Sequence, residues 1–600
     1  MHRRSFGFSL ALMFAAMAGH AADDCKLKRY ALLPVTMAGT RPLITGSING
    51  VAVQFLADTG AFFNMISRET ADRLSLRSEP LPQGFLVWGI GGAALPSLAT
   101  AKDFTLVGLG TQTFHKVAFV EIGNFFSADE DGVIGQNLLG HADSEYDLAN
   151  GFIRLFYAQG CRGKSLAYWQ GTEPAAVIDM EYLSESSPHL IGTVKLNGAK
   201  IQVMFDSGAS HSMLSLRAAA RAGIKPDSPG VVSGGLSNGI GNHQVESWLA
   251  RFDSLDLGGE EIKNARLRIA DIDLPGADML LGADFFLSHR IYFATSQQKI
   301  YFTYNGGYVF DLSVKKADKQ VAAATADKLA DQPADAPAAP VASQAPMDAA
   351  GFRRRGAASA GRREFQSAIA DFDQAVRLDP ADADNYYQRA LARWQDGQSV
   401  LAMGDFEQAL KIRPNDIQAL TGRGALRLSS DDEAGAGADF EAVDAAVPHD
   451  AAIGLRIAQD YLRFGHFAGA IERFDRWIAA YPRDERLPTA LNGRCWSRAM
   501  LNQGLDLALA DCNAAVRSGR NSQFLDSRGF VWLRLGNFDK SIVDYKASLS
   551  LRPQSAWSSY GLGLAELRKG TREQGDKDMQ AATALLPSIA EDFKRAGLVP

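Results

Sequence analysis

Ala57-Asp58-Thr59-Gly60-Ala61 and Phe205-Asp206-Ser207-Gly208-Ala209 are the stretches from which the architecture of this 600-residue chain is read. They lie 148 residues apart, and each closes an apolar run that opens on Asn-Gly, Asn49-Gly50 in one copy and Asn197-Gly198 in the other. Asn-Gly suits a type I′ hairpin turn, whose two central residues need positive φ. The runs that follow, Val51 to Leu56 and Ala199 to Phe205, are β-rich and too short to read as helices. Each hairpin is therefore expected to deliver one carboxylate to a turn.

The match extends downstream. Val133-Ile134-Gly135-Gln136-Asn137 follows the first Asp and Leu280-Leu281-Gly282-Ala283-Asp284 the second, with glycines at offsets of 77 and 76 residues. Between them each copy has a Gly-rich segment, Trp88-Gly89-Ile90-Gly91-Gly92 and Asn238-Gly239-Ile240-Gly241-Asn242, which reads as a hairpin tip. Short helical patterns, Ser67 to Leu76 and Ser215 to Ile224, begin on a serine placed as an N-cap. The unit is a duplicated β-rich lobe with one small helix.

Two Asp turns related by a repeat can meet on a pseudo-two-fold axis, as identical subunits do. Like charges a few ångströms apart do not both ionise easily, so such a pair holds one proton and offers an acid and a base together. A water between them is activated by the ionised Asp while the protonated one polarises an amide carbonyl. The small Gly60 and Gly208 let the backbones approach, and the Thr59 and Ser207 hydroxyls are placed to bond across the axis.

The Asp-Thr/Ser-Gly-Ala turn with the later apolar-apolar-Gly-x-Asn/Asp segment resembles the retropepsin-like aspartyl proteases, over about residues 40 to 305. Most such enzymes are dimers of one unit, and this chain resembles two units joined, as in the two-lobed pepsin-like enzymes. The resemblance implies an all-β two-lobed fold, Asp58 and Asp206 as a catalytic dyad supported by Thr59, Gly60, Ser207 and Gly208, and flaps over substrate at Gly89, Ile90, Gly91 and Gly239, Ile240, Gly241. The first Gly-rich segment runs into Ala93-Ala94-Leu95-Pro96, shorter and more apolar than Asn238 to Gln244, so unequal flaps are expected.

The N-terminus has the three-part form of a secretory signal: His2-Arg3-Arg4, an apolar run from Phe6 to Met17, then Gly19-His20-Ala21. That run is well short of the roughly 20 residues that span a bilayer, so no stable membrane insertion is expected. Export, preferably to a bacterial periplasm and alternatively by general secretion, fits the cysteines. Cys25 and Cys161 bracket the first lobe and Cys495 and Cys512 form a second candidate bridge, with buried free thiols as the alternative. Neither H-E-x-x-H nor C-x-x-C occurs, so no metal or other cofactor is expected. With 62 basic against 68 acidic residues, net charge −6, nothing points to nucleic acid. His211 follows the second Asp turn closely and reads as an exposed turn histidine, with tuning of the dyad as the alternative.

From about Val314 to Ala350 the composition shifts to Ala, Asp, Lys and Pro, the signature of a flexible or partly helical linker. Beyond it Pro380, Pro414, Pro448 and Pro482 recur every 34 residues, as do Pro553 and Pro587. Ala368, Phe372 and Ala375, then Ala402, Phe406 and Ala409, supply small, aromatic, small positions before the proline, a pattern that resembles tetratricopeptide repeats over about residues 350 to 590. The Arg-rich clusters Arg353-Arg354-Arg355 and Arg362-Arg363 read as a solvated face. The domain reading is a signal peptide at 1–21, lobes at 22–165 and 166–312, a linker at 313–350 and an all-α repeat solenoid at 351–600. The function expected is an exported aspartic endopeptidase acting on protein or peptide substrate, with the repeats recruiting substrate or a protein partner. The alternatives are a non-catalytic peptide-binding scaffold, repeats that serve only as spacer or dimerisation element, and lobes that complete their dyads between chains.

Overall fold

Both Asn-Gly pairs form their turns. Asn49 and Gly50 take φ of 51° and 83°, Asn197 and Gly198 47° and 79°, and the strands they join are Arg41–Ile48 with Val51–Ala57 and Ile191–Leu196 with Ala199–Phe205. This computed structural model describes residues 25–81, 87–89, 92–94, 96–123, 130–171, 174–181, 189–237, 245–274, 276–307, 309–310, 348–448, 450–519 and 521–600. The signal segment and most of the expected linker lie outside the described residues.

In each lobe the second hairpin strand pairs in parallel with a short strand that carries the later motif, Gly132–Ile134 in the first lobe and Met279–Leu281 in the second. Ser67 and Ser215 are N-caps, their hydroxyls accepting from Thr70 N–H and Ala218 N–H to start helices α1 (Arg68–Arg73) and α2 (Leu216–Arg221). The lobes are joined by a six-stranded sheet. At its centre Asp143–Asp147 pairs antiparallel with His289–Ala294. Outward from that pair lie Phe152–Gln159 and then Lys26–Ala38 on one side, Lys299–Tyr304 and then Ala176–Glu181 on the other. The sheet thus carries the same pseudo-two-fold relation as the sequence repeat. The Cys25–Cys161 disulfide sits at the end of the Lys26/Gln159 pairing.

The C-terminal region is all helical. Among the described residues seven helix pairs run from Ala349–Gly361 with Phe365–Leu378 to Ala556–Lys569 with Arg572–Leu585, followed by Ile589–Arg595. Phe372, Phe406, Phe440 and Phe474 are fully buried, one per repeat. Each fills space left by a glycine: a Cβ on Gly356, Gly422, Gly424 or Gly493 would collide with the ring of Phe372, Phe406, Phe440 or Phe474 respectively. This is the physical content of the small-aromatic alternation, since helices approach only where one side gives up its side chain. Cys495 and Cys512 bridge the paired helices Leu487–Leu501 and Leu505–Ser518.

Most of the arginines expected on a solvated face are instead partnered and half-buried. Arg355 holds Asp371 through two nitrogens, Arg353 pairs with Asp382, and Arg354 stacks over Phe152 of the first lobe with its guanidinium carbon 4.7 Å from the ring centre. Arg362 binds Glu364 at 2.8 Å. Charge runs read as solvated when each residue is considered alone; here Arg353, Arg354 and Arg355 each meet a partner from a different helix or lobe, while Arg363 is exposed.

The repeats are also fastened to the lobes. Ala357, Ala358, Ala368, Ile369 and Phe372 belong to the same apolar core as the lobe residues Leu33, Val35 and Leu148. A second contact involves α1, whose Glu69 accepts from the Ala451 N–H at 2.7 Å, at the start of helix Ala451–Arg463, and from Arg486 at 3.3 Å. Arg68 faces Glu485 at 3.6 Å, and the Glu485 carboxyl packs directly on Gly123, so that a Cβ there would require it to shift. No helix among the described residues is long and apolar enough to cross a membrane.

Candidate active site

The strand Val51–Ala57 ends because Asp58 leaves the ladder, its N–H turning to the Ile134 carbonyl at 3.0 Å; Asp206 does the same to Leu281 at 2.9 Å. The next residues form tight turns in which each carboxylate accepts two backbone N–H bonds. Asp58 Oδ1 takes Gly60 N–H at 2.7 Å and Ala61 N–H at 3.1 Å, and Asp206 Oδ1 takes Gly208 and Ala209 N–H, both at 3.0 Å.

The two turns interlock through their hydroxyls. Thr59 N–H donates to Ser207 Oγ at 3.1 Å and Ser207 N–H to Thr59 Oγ1 at 2.9 Å. The hydroxyls in turn donate across the axis at 2.7 Å, Thr59 to the Phe205 carbonyl and Ser207 to the Ala57 carbonyl. Both side chains are fully buried. Four reciprocal bonds therefore fix one turn against the other. The glycines explain how close the turns come: a Cβ on Gly60 would fall onto the Asp206 carboxyl and one on Gly208 onto the Asp58 carboxyl. No other residue type leaves room for the opposite acid.

Beneath each turn the later motif acts as a support. Gln136 and Asn137 N–H donate to the Ala61 and Phe62 carbonyls at 2.9 Å, and Ala283 N–H donates to Ala209 at 2.8 Å. Gly135 N–H is held by Asn64 Oδ1 and Gly282 N–H by Ser212 Oγ, which itself binds Asp284 at 2.7 Å. A Cβ on Gly135 or Gly282 would lie 2.7 Å from the Ala61 or Ala209 carbonyl oxygen, the physical reason a glycine stands there in both copies. His211 is exposed and faces Asp284 electrostatically, away from a role between the two acids.

Burial raises both acids above the ordinary carboxylate range. Asp58 rises furthest, first through burial, then through the Asp206 charge and the hydrogen bond between them, against a smaller lowering by the Gly60 and Ala61 N–H groups. Asp206 is raised by burial while the bond from Asp58 and its two backbone donors pull it down. The pair thus shares a proton, with Asp58 raised furthest, and it titrates as a unit.

Around the cleft the lobes differ. In the first, Val87–Gly89 and Gly92–Ala94 form a separate two-stranded hairpin; in the second, Val232–Ser237 pairs with the longer Val245–Asp256. Of the expected flap residues Gly89 ends the first of these strands, and Ile90, Gly91, Gly239, Ile240 and Gly241 lie outside the described residues. Sequence reasoning passed over Asn64, Ser212 and Arg41 and His189 beside the turns. Both pairs, Asn64 with Ser212 and Arg41 with His189, share the 148-residue offset of the Asp turns, a signal that was present in the spacing.

Comparison with known proteins follows the same division. The family described as aspartyl protease matches residues 44–140 and 192–285, one segment in each lobe. Among solved structures, the chain is similar to a tetratricopeptide repeat protein from Parabacteroides merdae at 17% identity and TM-score 0.29, over 44% of this chain and 91% of that one. It is also similar to PilW, a widely conserved type IV pilus biogenesis factor, at 19% identity and TM-score 0.30, over 36% of this chain and 98% of that one. Yeast Tom70 is similar at 18% identity and TM-score 0.30, over 42% of this chain and 52% of that one. No curated protein matches the sequence.

Proposed function

We propose that this chain, with an aspartyl protease segment in each of two lobes and a tetratricopeptide-like solenoid behind them, is an exported aspartic endopeptidase whose repeats hold or position protein substrate. The observation that carries the reading is the reciprocal packing of Asp58 and Asp206 against Gly208 and Gly60 within one chain. It supports a dyad completed without a second copy.

In this mechanism the Asp206 carboxylate takes a proton from a water in the cleft while Asp58 gives its proton to the carbonyl oxygen of the scissile amide. The water oxygen bonds to the carbonyl carbon and a tetrahedral diol forms. Its collapse breaks the C–N bond as the proton on Asp206 passes to the leaving nitrogen and one diol hydroxyl returns a proton to Asp58, restoring the starting state. The Thr59–Ser207 lattice makes this work by holding two groups that repel when both ionise. The two disulfides fit an oxidising compartment.

The test is cleavage of an unstructured protein across about pH 3 to 8, by the full chain and by the Asp58→Asn plus Asp206→Asn double variant. Cleavage lost only in the variant supports the reading. Equal cleavage by both would assign the activity elsewhere, and peptide capture without turnover, unchanged in the variant, would favour a binding scaffold.

A further inference from the structure

Matching positions of the two lobes carry different chemistry at the edge of the cleft. Antiparallel pairing of Leu43 with Leu56 and of Ile191 with Met204, continued toward the turns, sets Arg41 across from Asp58 and His189 across from Asp206. The Phe205 N–H donates to the Leu190 carbonyl at 2.9 Å, so the hairpin is still zipped one residue from His189. In the first lobe the position is closed. Arg41 binds Glu130 at 2.9 Å and its own Ala38 carbonyl at 3.2 Å.

In the second lobe both members of that pair are replaced. Asp131 and Asp278 are equivalents, each accepting from the N–H of the hairpin glutamine, Gln54 or Gln202, and each bound by the arginine at the end of the small helix, Arg73 or Arg221. The residue before each is therefore the counterpart of the other: Glu130 in the first lobe, Ala277 in the second. The cation has become an imidazole and its carboxylate a buried methyl. The His189 ring is left with Nδ1 buried and without a hydrogen-bond partner among the described residues, and a buried polar atom without a partner costs free energy until something meets it. Burial lowers His189 below the ordinary histidine range, opposed by the Asp58 charge, so the ring is neutral near pH 7. A neutral ring beside an anionic dyad suits an uncharged partner; a further carboxylate would be repelled by the same charge.

We propose that His189 is a substrate-positioning residue whose Nδ1 binds an uncharged polar side chain, an amide or a hydroxyl, on the second-lobe side of the cleft only. The lobes then read the two sides of the scissile bond differently, which the duplicated fold alone would not do. This inference rests on the peptide-cleft reading above.

The test uses the full chain and two peptide sets of randomised sequence, one cleavable and one with the scissile CO–NH replaced by CH2–NH. The wild type should enrich Asn, Gln, Ser or Thr at one position on one side of the bond. His189→Ala should lose that enrichment and weaken binding of the enriched reduced peptide roughly 3- to 10-fold, with the change falling on KM more than kcat, and His189→Gln should restore it. Enrichment that survives His189→Ala, or a loss that His189→Gln fails to restore together with a lowered melting temperature in both, overturns the proposal. Cleavage by the wild type with no His189-dependent preference sinks this inference and leaves the peptidase reading intact. His189-dependent capture of the reduced peptides with no cleavage of the other set does the reverse.

Discussion

At the scale of single residues, the dyad makes two kinds of prediction. Asp58→Asn or Asp206→Asn should each lower cleavage by at least about 10³-fold, because an amide neither holds nor takes the shared proton. The rate should follow a bell in pH, rising as Asp206 ionises and falling as Asp58 loses its proton, with both limbs above the range of free carboxyls since burial raises both groups. The same shifts set a stability sign. A carboxyl raised on folding contributes stability that is complete below the unfolded value and is lost as pH climbs through the folded one. Asp58→Asn should therefore raise the melting temperature at neutral pH relative to wild type, and the gain should vanish in acid. The hydroxyls act in the opposite sense: Thr59→Val or Ser207→Ala leaves buried donors and acceptors of the facing turn unmet, at a cost of about 1–3 kcal/mol by urea unfolding. A double variant that costs much less than the sum would show that the four bonds act as one unit.

At the scale of elements, the repeats carry a pairing that their 34-residue period did not reveal. Arg389 grips Asp405 and Arg423 grips Asp439 through two nitrogens each, and Arg355–Asp371, Arg494–Asp511 and Arg528–Asp544 repeat the arrangement between the first and second helix of a pair. Arg389 and Arg393 both reach Asp405, whose side chain is 5% exposed. Asp405→Ala should destabilise by about 1–3 kcal/mol, since it leaves Arg389 and Arg393 only the half-exposed Asp373, and hydrogen exchange should locate the loss in helices Ala383–Gln395 and Ser399–Ile412. Proline and aromatic spacing announced the helix pairs because both act within a single helix. Of these arginines only Arg355 belongs to a cluster read as solvent-facing; its partner, like the others, lies on the next helix, 16 or 17 residues away, a spacing that means nothing until the two helices are folded side by side.

At the scale of the whole molecule, the solenoid is fastened to the two-lobed body through its first helix pair and again at Glu69. Glu69 occupies the N-terminus of helix Ala451–Arg463, where a carboxylate meets unpaired backbone N–H groups. Glu69→Lys should release this contact and speed amide exchange at Ala451 while leaving the dyad folded; unchanged exchange there would show that the apolar contact alone sets the geometry. The Cys25–Cys161 bridge closes 136 residues around the first lobe. Cys25→Ser with Cys161→Ser should lower unfolding stability by up to about 5 kcal/mol on the chain-entropy account, against about 3 for the 17-residue loop of Cys495–Cys512.

The duplication, the hairpins, the capped small helices and the helical repeats are all legible in the amino-acid sequence alone. Each of these is written in local chemistry: positive φ at Asn-Gly, serine at an N-cap, small residues facing an aromatic. The sequence also placed the two Asp turns at equal depth in their lobes. It took the folded molecule to bring each carboxyl against the other's glycine, to pair Arg41 while His189 Nδ1 has no partner among the described residues, and to dock the solenoid on α1. Those outcomes depend on which side chains meet across lobes and helices hundreds of residues apart. Spacing along the chain marks which positions of the two lobes correspond and that the Asp turns can meet, but not which side chains these contacts join.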